Sequence, residues 1–511
     1  MKNKRHLLSL VFLSLFISIY SQDKLPVFIT DSIDQYIHRA MKVEKLPGLA
    51  VCVVKNGKVV FMKGYGVKEW GTNDRVDENT LFMIGSNTKA FTAVSLSMLQ
   101  DEGKLTLNDK VNKWIPTFKL DNTLAGEQAI IRDMLSHRIG FGTFQGDFTY
   151  WKSDLTRAEV IERMAHIKAP YPFRTIYGYC NAAFVVAGEI IPVATGIQWE
   201  DFLKQRIFDP LGMTHTLALS KDLPFVENKT FPHDVVDEQI IKVPYGLIDN
   251  LAPAGSISSS VNDMSKWMIL LLNKGTYNEK QIIPESAINR TWYPHSIIGN
   301  GGRPFNKGHF SLYGLGFDIR EYERRTIISH TGGVTGYLSS VTLVPDENLG
   351  IAILTNSIRN SLFVALRDEI TDAFLDLPYR DYAGFYYNAD HSETLARQKS
   401  VSQLEDSAAM IIAPELPLSK YTGDYTNDVY GKMSVVLEEG ELHMKFSHHH
   451  SFYAILHPLG KNRFFAVFTD PEFENAVFPF VVSDGEVQSV TVKVADFIEY
   501  TPYVFKKVKA K

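Results

Sequence analysis

Apolar positions recur with helical spacing at Ile29, Ile33, Tyr36, Ile37 and Ala40, which predicts a helix over 29–41. The runs 49–54 and 58–63 then read as two strands around Asn56-Gly57, a strong hairpin signal. A short apolar run, 81–85, ends in Gly85 and leads into a helical pattern over 87–101, with Phe91, Val94, Met98 and Leu99 on one face. Polar loops and helix patterns fill 88–261. Strand patterns return at 312–320, 326–329, 339–344 and 349–355, with Pro345-Asp346-Glu347-Asn348 as the turn between the last two. If these late strands pair with the early hairpin, one antiparallel sheet is assembled from both ends of the domain, with a helical region inserted between them. A final helix over 362–375 stops before Pro378.

The pattern changes near Tyr379. Residues 381–406 are polar, charged and partly helical in pattern, and Pro414-Glu415-Leu416-Pro417 punctuates the chain, so 379–417 reads as a linker. Short alternating runs follow at 421–425, 432–438, 441–446, 452–458, 463–468, 476–482 and 487–494. Their spacing predicts a small antiparallel barrel or sandwich over 418–511. The fold class expected is α/β (α+β): an antiparallel sheet with a helical region over 22–378, and a small β domain after it.

Composition adds little beyond size. A chain of 511 residues has room for a large core and more than one domain, and its net charge of -5 carries no basic stripe of the kind nucleic acid requires. The start is more telling. Lys2, Lys4 and Arg5 precede the apolar run 7–20 and Ser21, a signal-peptide pattern that predicts cleavage near residue 21 and a periplasmic or secreted product with no stable membrane insertion of the mature chain. Cys52 sits in a strand-like run and Cys180 beside Tyr179 and Asn181, so no disulfide between them is expected, and Cys180 reads as buried apolar filler. The run His448-His449-His450 invites a metal reading, but adjacent strand residues point to opposite faces, so the three are expected as exposed loop or strand-edge residues.

Three short segments carry the candidate chemistry. Ser86-Asn87-Thr88-Lys89 places a hydroxyl and an amine one helical turn apart, at a helix start whose free N–H groups favour developing negative charge. A serine hydroxyl needs a base near it to become a nucleophile. Tyr179 and Asn181, two apart, offer a phenol and an amide to one pocket, and His330-Thr331-Gly332-Gly333 ends a strand where missing side chains let a ligand approach the backbone.

In this order the set resembles the serine beta-lactamase and penicillin-binding-protein superfamily, in the branch of class C beta-lactamases, D-specific peptidases and related esterases. Leu135-Ser136-His137, Pro210-Leu211-Gly212-Met213, Ala254-Gly255-Ser256 and Tyr313-Gly314-Leu315-Gly316-Phe317 are similar to recurring segments of that superfamily, and the likeness covers about residues 30–375. The tail is similar to a small β domain that some of these hydrolases append. The resemblance implies Ser86, Lys89 and Tyr179 as catalytic residues, with Asn181, His330, Thr331, Gly332 and Gly333 binding substrate or oxyanion. It implies backbone N–H groups of Ser86 and Gly333 as oxyanion donors, Asn181 orienting Lys89 or substrate, and His330 bonded to Tyr179 or substrate.

Departures narrow the expectation. His330 stands where many beta-lactamases and carboxypeptidases have Lys, Cys180 stands where Ser is common, and Arg138-Ile139 replace a frequent Thr-Ser in the pocket wall. The His form is more like the D-aminopeptidase, esterase and broader peptidase members, so a serine hydrolase acting through an acyl-enzyme on amide or ester bonds, of D-aminopeptidase or D-peptidase-like type, is expected. An esterase or class C-like beta-lactamase is the alternative, and a non-catalytic peptide or cell-wall binding protein is the other. The substrates implied are a small peptide, amide, ester or beta-lactam, with no cofactor, no metal and no nucleic acid; the oligomeric state is not legible.

Overall fold

The computed structural model describes residues 24–301, 304–305, 308–410 and 412–509. The export segment expected at 1–21 lies outside the described residues. An eight-stranded antiparallel sheet runs in the order Ser296–Gly299, Ser311–Tyr313, Asp318–Tyr322, Arg325–Val334, Tyr337–Val344, Leu349–Thr355, Gly48–Lys55 and Lys58–Gly66. The early hairpin does join the late strands: Leu49 pairs with Thr355 and Lys55 with Leu349. Along Gly48–Lys55 the alternation of side chains serves two cores. Leu49, Val51 and Val53 pack with Ile33 and Ile37 of the helix Ile33–Val43 and with Leu366 and Ile370 of the helix Leu362–Phe374. Ala50, Cys52 and Val54 pack with Met264, Trp267 and Met268 of the helix Val261–Leu272. A strand buried on both faces reads as an unbroken apolar run, which is why 49–54 shows no polar alternation. Each large apolar side chain so buried contributes roughly 1.5–3 kcal/mol.

Three details depart from the expected elements. The single strand read at 312–320 is two, because Gly314-Leu315-Gly316 turns back on itself through a 2.8 Å bond from the Gly314 N–H to the Phe317 carbonyl. The helix read from a one-sided apolar face at 87–101 runs Thr88–Asp101 and is buried on every side from Thr88 to Leu99. Two of its polar members find acceptors on neighbouring segments: the Thr92 hydroxyl donates to the Pro253 carbonyl at 2.7 Å and the Ser97 hydroxyl to that of Ala287 at 2.9 Å. The linker read at 379–417 is largely one continuous helix, Tyr382–Ala409, whose first turn docks on the core of the first domain through buried Tyr382 and Ala383. Its polar composition hides this, since only that end is buried. Arg397, further along, pairs with Glu474 of the β domain.

The C-terminal strands close into an eight-stranded barrel. The strand not foreseen is Tyr503–Lys507, which pairs with Glu486–Val492 on one side and Gly423–Asn427 on the other and so completes the closure. Closure leaves no free edge. The barrel is tied to the first domain by buried polar contacts. Lys152 pairs with Asp470 and Glu472 at 2.5 and 2.6 Å, and the Thr335 hydroxyl donates to Glu472 at 2.8 Å. Glu499 is fully buried, and its carboxylate accepts from the N–H groups of Gly146 and Phe148 at 2.7 and 3.1 Å and from the Tyr430 hydroxyl at 2.5 Å. The histidine run also lies in this contact. His448 and His450 flank Asp154 at 2.8 and 3.0 Å. His449, expected at an exposed edge, is instead buried, with its ring stacked on Phe148 at 4.4 Å and its Nε2 2.9 Å from the Phe148 carbonyl. The strand begins at His449 and turns that side chain inward. Among the described residues no single helix is long and apolar enough to cross a membrane.

The Glu499 contact makes a testable demand. In Glu499→Gln the side-chain amide presents N–H groups where backbone N–H donors already point, leaving a buried donor unsatisfied at a cost of about 1–3 kcal/mol. Urea unfolding should therefore show a stability loss of that size, and an unchanged midpoint would show that the carboxylate does not hold the two domains together.

Candidate active site

Ser86 lies in a single 3-10 turn, Gly85–Asn87, that runs directly into the Thr88–Asp101 helix. The turn is stapled to the sheet: the Asn87 amide donates to Ser339 Oγ at 2.8 Å, and that hydroxyl donates to the Ile84 carbonyl at 2.7 Å. The turn sits directly against the Arg325–Val334 strand. A Cβ added to Gly85, whose φ is +51°, would lie 2.8 Å from the Gly333 nitrogen, and one on Gly332 would lie 1.9 Å from the Ile84 carbonyl oxygen. Only glycines allow this approach. It brings the Ser86 and Gly333 segments side by side.

Lys89 is completely buried beneath Ser86. Its Nζ lies 2.9 Å from Ser86 Oγ, 2.6 Å from Asn181 Oδ1 and 2.8 Å from the Ala254 carbonyl oxygen. Asn181 opens the helix Asn181–Thr195, and its amide nitrogen donates to Asp147 Oδ2 at 2.6 Å, so the amide orientation is set by an acceptor behind it. Burial pulls the Lys89 amine down to about 7, with Asp147 pulling the other way. Burial pushes the Tyr179 phenol well above its ordinary value, although a hydrogen bond with Ser86 opposes this. Lys89 Nζ also lies 4.7 Å from the centre of the Tyr179 ring. An amine that titrates near neutrality and a phenol that keeps its proton therefore meet at one serine.

His330 is placed differently from expectation. Its Nε2 lies 3.0 Å from the Tyr313 hydroxyl and its Nδ1 2.5 Å from the Thr331 carbonyl, so it bonds to neither Tyr179 nor open solvent. Its ring is 6.1 Å from that of Tyr179. The protons along this row follow from the partners. His137 Nδ1 accepts the Cys180 N–H at 3.0 Å, so its Nε2 carries hydrogen and donates to the Tyr313 oxygen at 3.3 Å. The Tyr313 hydroxyl then donates to His330 Nε2, and His330 Nδ1–H donates to Thr331. Every member is neutral. Burial holds His330 down to about 3, with the Lys89 charge adding to the effect and the Thr331 bond opposing it. Within this row His137, from the Leu135-Ser136-His137 segment, ties the Cys180 backbone to the His330 strand.

The cleft above Ser86 has a volume of about 390 Å³ and brings together Ser86, Tyr179, Asn181, His330, Thr331, Gly332 and Gly333. Arg138 and Ile139, expected in its wall, are elsewhere: Arg138 bonds Asp133 at 2.7 Å and Ile139 is in the core. Cys180 is buried, as its reading as apolar filler required. Sequence reasoning missed Asp147, Phe144, Trp151, Tyr177 and Asp318 in the lining, and Phe497 and Tyr500 from the barrel. Tyr177 lies two residues before Tyr179, whereas the segment 144–151, the strand start at Asp318 and the turn bearing Phe497 and Tyr500 reach the cleft from separate parts of the chain, a relation that no local spacing marks.

A serine at a helix start, a buried lysine one turn on, and a glycine-bearing strand alongside define a serine hydrolase built on a mixed helix and antiparallel-sheet fold. Residues 33–373 match the family model described as Beta-lactamase, and the chain belongs to that family. Residues 408–507 match a model described as a domain of unknown function, DUF3471. The chain is 28% identical to the unguisins hydrolase ungD of Aspergillus violaceofuscus, over 80% of this chain and 77% of that protein. Its fold is similar to that of the octameric penicillin-binding protein homologue from Pyrococcus abyssi, with a TM-score of 0.61 at 19% identity, covering 93% of this chain and all (100%) of that one. It is also similar to a D-stereospecific amidohydrolase from Streptomyces sp., with a TM-score of 0.53 at 22% identity, covering 66% of this chain and 97% of that one. The protein is thus a serine hydrolase of the beta-lactamase and penicillin-binding-protein superfamily.

The hydrogen-bonded row predicts that Tyr313→Phe strands two buried ring nitrogens at once, the Nε2–H of His137 and the acceptor Nε2 of His330. The cost should be about 1–3 kcal/mol in urea unfolding. A variant as stable as the parent would show that the row is not closed as drawn.

Proposed function

We propose that this chain is a D-peptidase-like hydrolase, of D-aminopeptidase type, that cleaves amide bonds through an acyl-enzyme on Ser86. The observation that carries the reading is the environment of Lys89. A neutral amine has two hydrogens and one lone pair. With the hydrogens directed to Asn181 Oδ1 and the Ala254 carbonyl, the lone pair faces Ser86 Oγ at 2.9 Å. Lys89, lowered to about 7 by burial, is then the base that takes the Ser86 proton, coupled to Tyr179. Oγ attacks the substrate carbonyl carbon, and the oxygen takes up the negative charge opposite the N–H groups of Ser86 and Gly333. Tyr179, still carrying its proton, passes it to the departing amine, and the amide bond breaks. Water then attacks the ester with the same pair as base, releasing the acid and restoring Ser86.

The choice among substrates rests on charge. Among the described residues lining the cleft none is Lys or Arg, Asp318 is an acidic residue of the lining, burial pushes the engaged Asp147 carboxyl well above its ordinary value, and His330 is neutral with both ring nitrogens engaged. Such a lining favours substrates whose recognised end is neutral or carries an amine over those held by a carboxylate. Esterolysis is the second reading, favoured by the aromatic share of the lining, which suits apolar acyl groups.

The test is a panel of D-amino acid amides, short esters, peptides and a cephalosporin with the parent and Ser86→Ala. A fluorophosphonate should label the parent at one site and the variant not at all, and D-amino acid amides should be the best substrates. Equal labelling of both would remove Ser86 from the nucleophile role, and a preference for esters or the cephalosporin would replace the peptidase reading.

The amine also sets a pH dependence. Below about 7 Lys89 is protonated and holds no lone pair for Ser86, so kcat/KM on an uncharged ester should fall about tenfold per pH unit below that point and level off above it. A flat profile from pH 5 to 9 would exclude Lys89 as the base.

A further inference from the structure

The barrel does more than abut the first domain, because one of its turns forms a side of the cleft. In the segment 495–500 the side chains part in two directions. Ile498 and Glu499 are buried, Glu499 by its bonds to the Gly146 and Phe148 N–H groups, while Phe497 and Tyr500 remain 38% and 51% exposed and line the cleft over Ser86. The Phe497 ring edge is close enough that a Cβ on Gly333 would meet it at 3.1 and 3.3 Å, so it overhangs the strand beside the reacting serine. Trp151 packs on it edge to face at 5.5 Å. Phe144 lies between Tyr500 and Tyr179, with ring centres 5.5 and 5.6 Å away, and does so from a left-handed backbone, φ 59°. That conformation is costly for a bulky residue and persists only where its surroundings hold it. Here the Phe144 N–H is held by the Tyr179 carbonyl at 2.9 Å.

We propose that Phe497 and Tyr500, with Trp151 and Phe144, form a binding subsite for an aromatic-sized apolar substituent next to the scissile carbonyl, so that the C-terminal barrel selects the substrate. The proposal rests on the hydrolase reading of Ser86. Aromatic side chains left in contact with water at the mouth of a cleft gain by covering one another's faces and the face of an apolar ligand. Glu499 fixes the turn on which they stand. The subsite cannot form from the first domain alone, since Phe497 and Tyr500 are carried by the barrel.

The experiment compares p-nitrophenyl phenylacetate with p-nitrophenyl acetate, which share a leaving group and differ by one ring. The parent, Phe497→Leu, and Phe497→Leu combined with Tyr500→Leu are assayed, and each is titrated with fluorophosphonate to count intact Ser86 sites. The ratio of kcat/KM for phenylacetate over acetate should fall about tenfold or more in the double variant, within the range a hydrophobic pocket can discriminate, and by a smaller factor in Phe497→Leu. A ratio within threefold of the parent in variants that still label would overturn the subsite and leave the hydrolase intact. A parent that neither labels nor turns over either ester would overturn the hydrolase reading and the subsite with it. Leu keeps an apolar side chain at each position, so the single variant answers the question if the double one does not fold.

Discussion

A lysine amine shut away from water is the constraint on which the rest of the active region depends. An ammonium left in an apolar interior without partners is costly, so the group either finds acceptors or gives up its proton. Lys89 does some of both. Asn181 and the Ala254 carbonyl take its hydrogens, and burial lowers its affinity for the proton to the neutral range. Those acceptors must themselves be rigid. Asn181 is oriented by Asp147, which belongs to the segment that Glu499 of the barrel fastens at Gly146 and Phe148. The residues around Ser86 are therefore held by a succession of buried bonds that crosses from one domain to the other.

The second buried row works by a complementary rule. Lys89 lies where a proton can come and go, whereas His137, Tyr313 and His330 are arranged so that none need move: each hydrogen has one acceptor and each acceptor one hydrogen. Protonating His330 would place a hydrogen on the nitrogen that already receives the Tyr313 hydroxyl, which is consistent with its depressed basicity. The imidazole in the third motif thus serves as a neutral brace of the strand beside Ser86 and not as a cation for substrate.

Much of this is legible in the sequence, for identifiable reasons. Ser86 and Lys89 share a helix turn, Tyr179 and Asn181 are two apart, and 330–333 is contiguous, so local spacing alone places each set. The apolar positions named in the first helix are all buried, because a helix packed on one side displays its face in its period. What is not legible is non-local. The 28-residue helix Tyr382–Ala409 hides because most of its length is exposed and its polar residues carry no period. Tyr503–Lys507 hides because one of its two partners, Gly423–Asn427, is far away in sequence, at the other end of the barrel segment. The partner of His330 differs from expectation for the same reason: Tyr313 reaches it across neighbouring strands, a relation that no spacing in the sequence expresses.

The order of closure in the barrel has a consequence for how the protein is made. The turn bearing Phe497 and Tyr500 and the strand Tyr503–Lys507 that seals the barrel are translated after every residue from Ser86 to Gly333. Until that turn and strand emerge, Gly423–Asn427 has an unpaired edge and the cleft lacks one side. The nascent chain consequently carries its reactive serine in an unfinished enclosure, and one short segment completes the barrel and the cleft together.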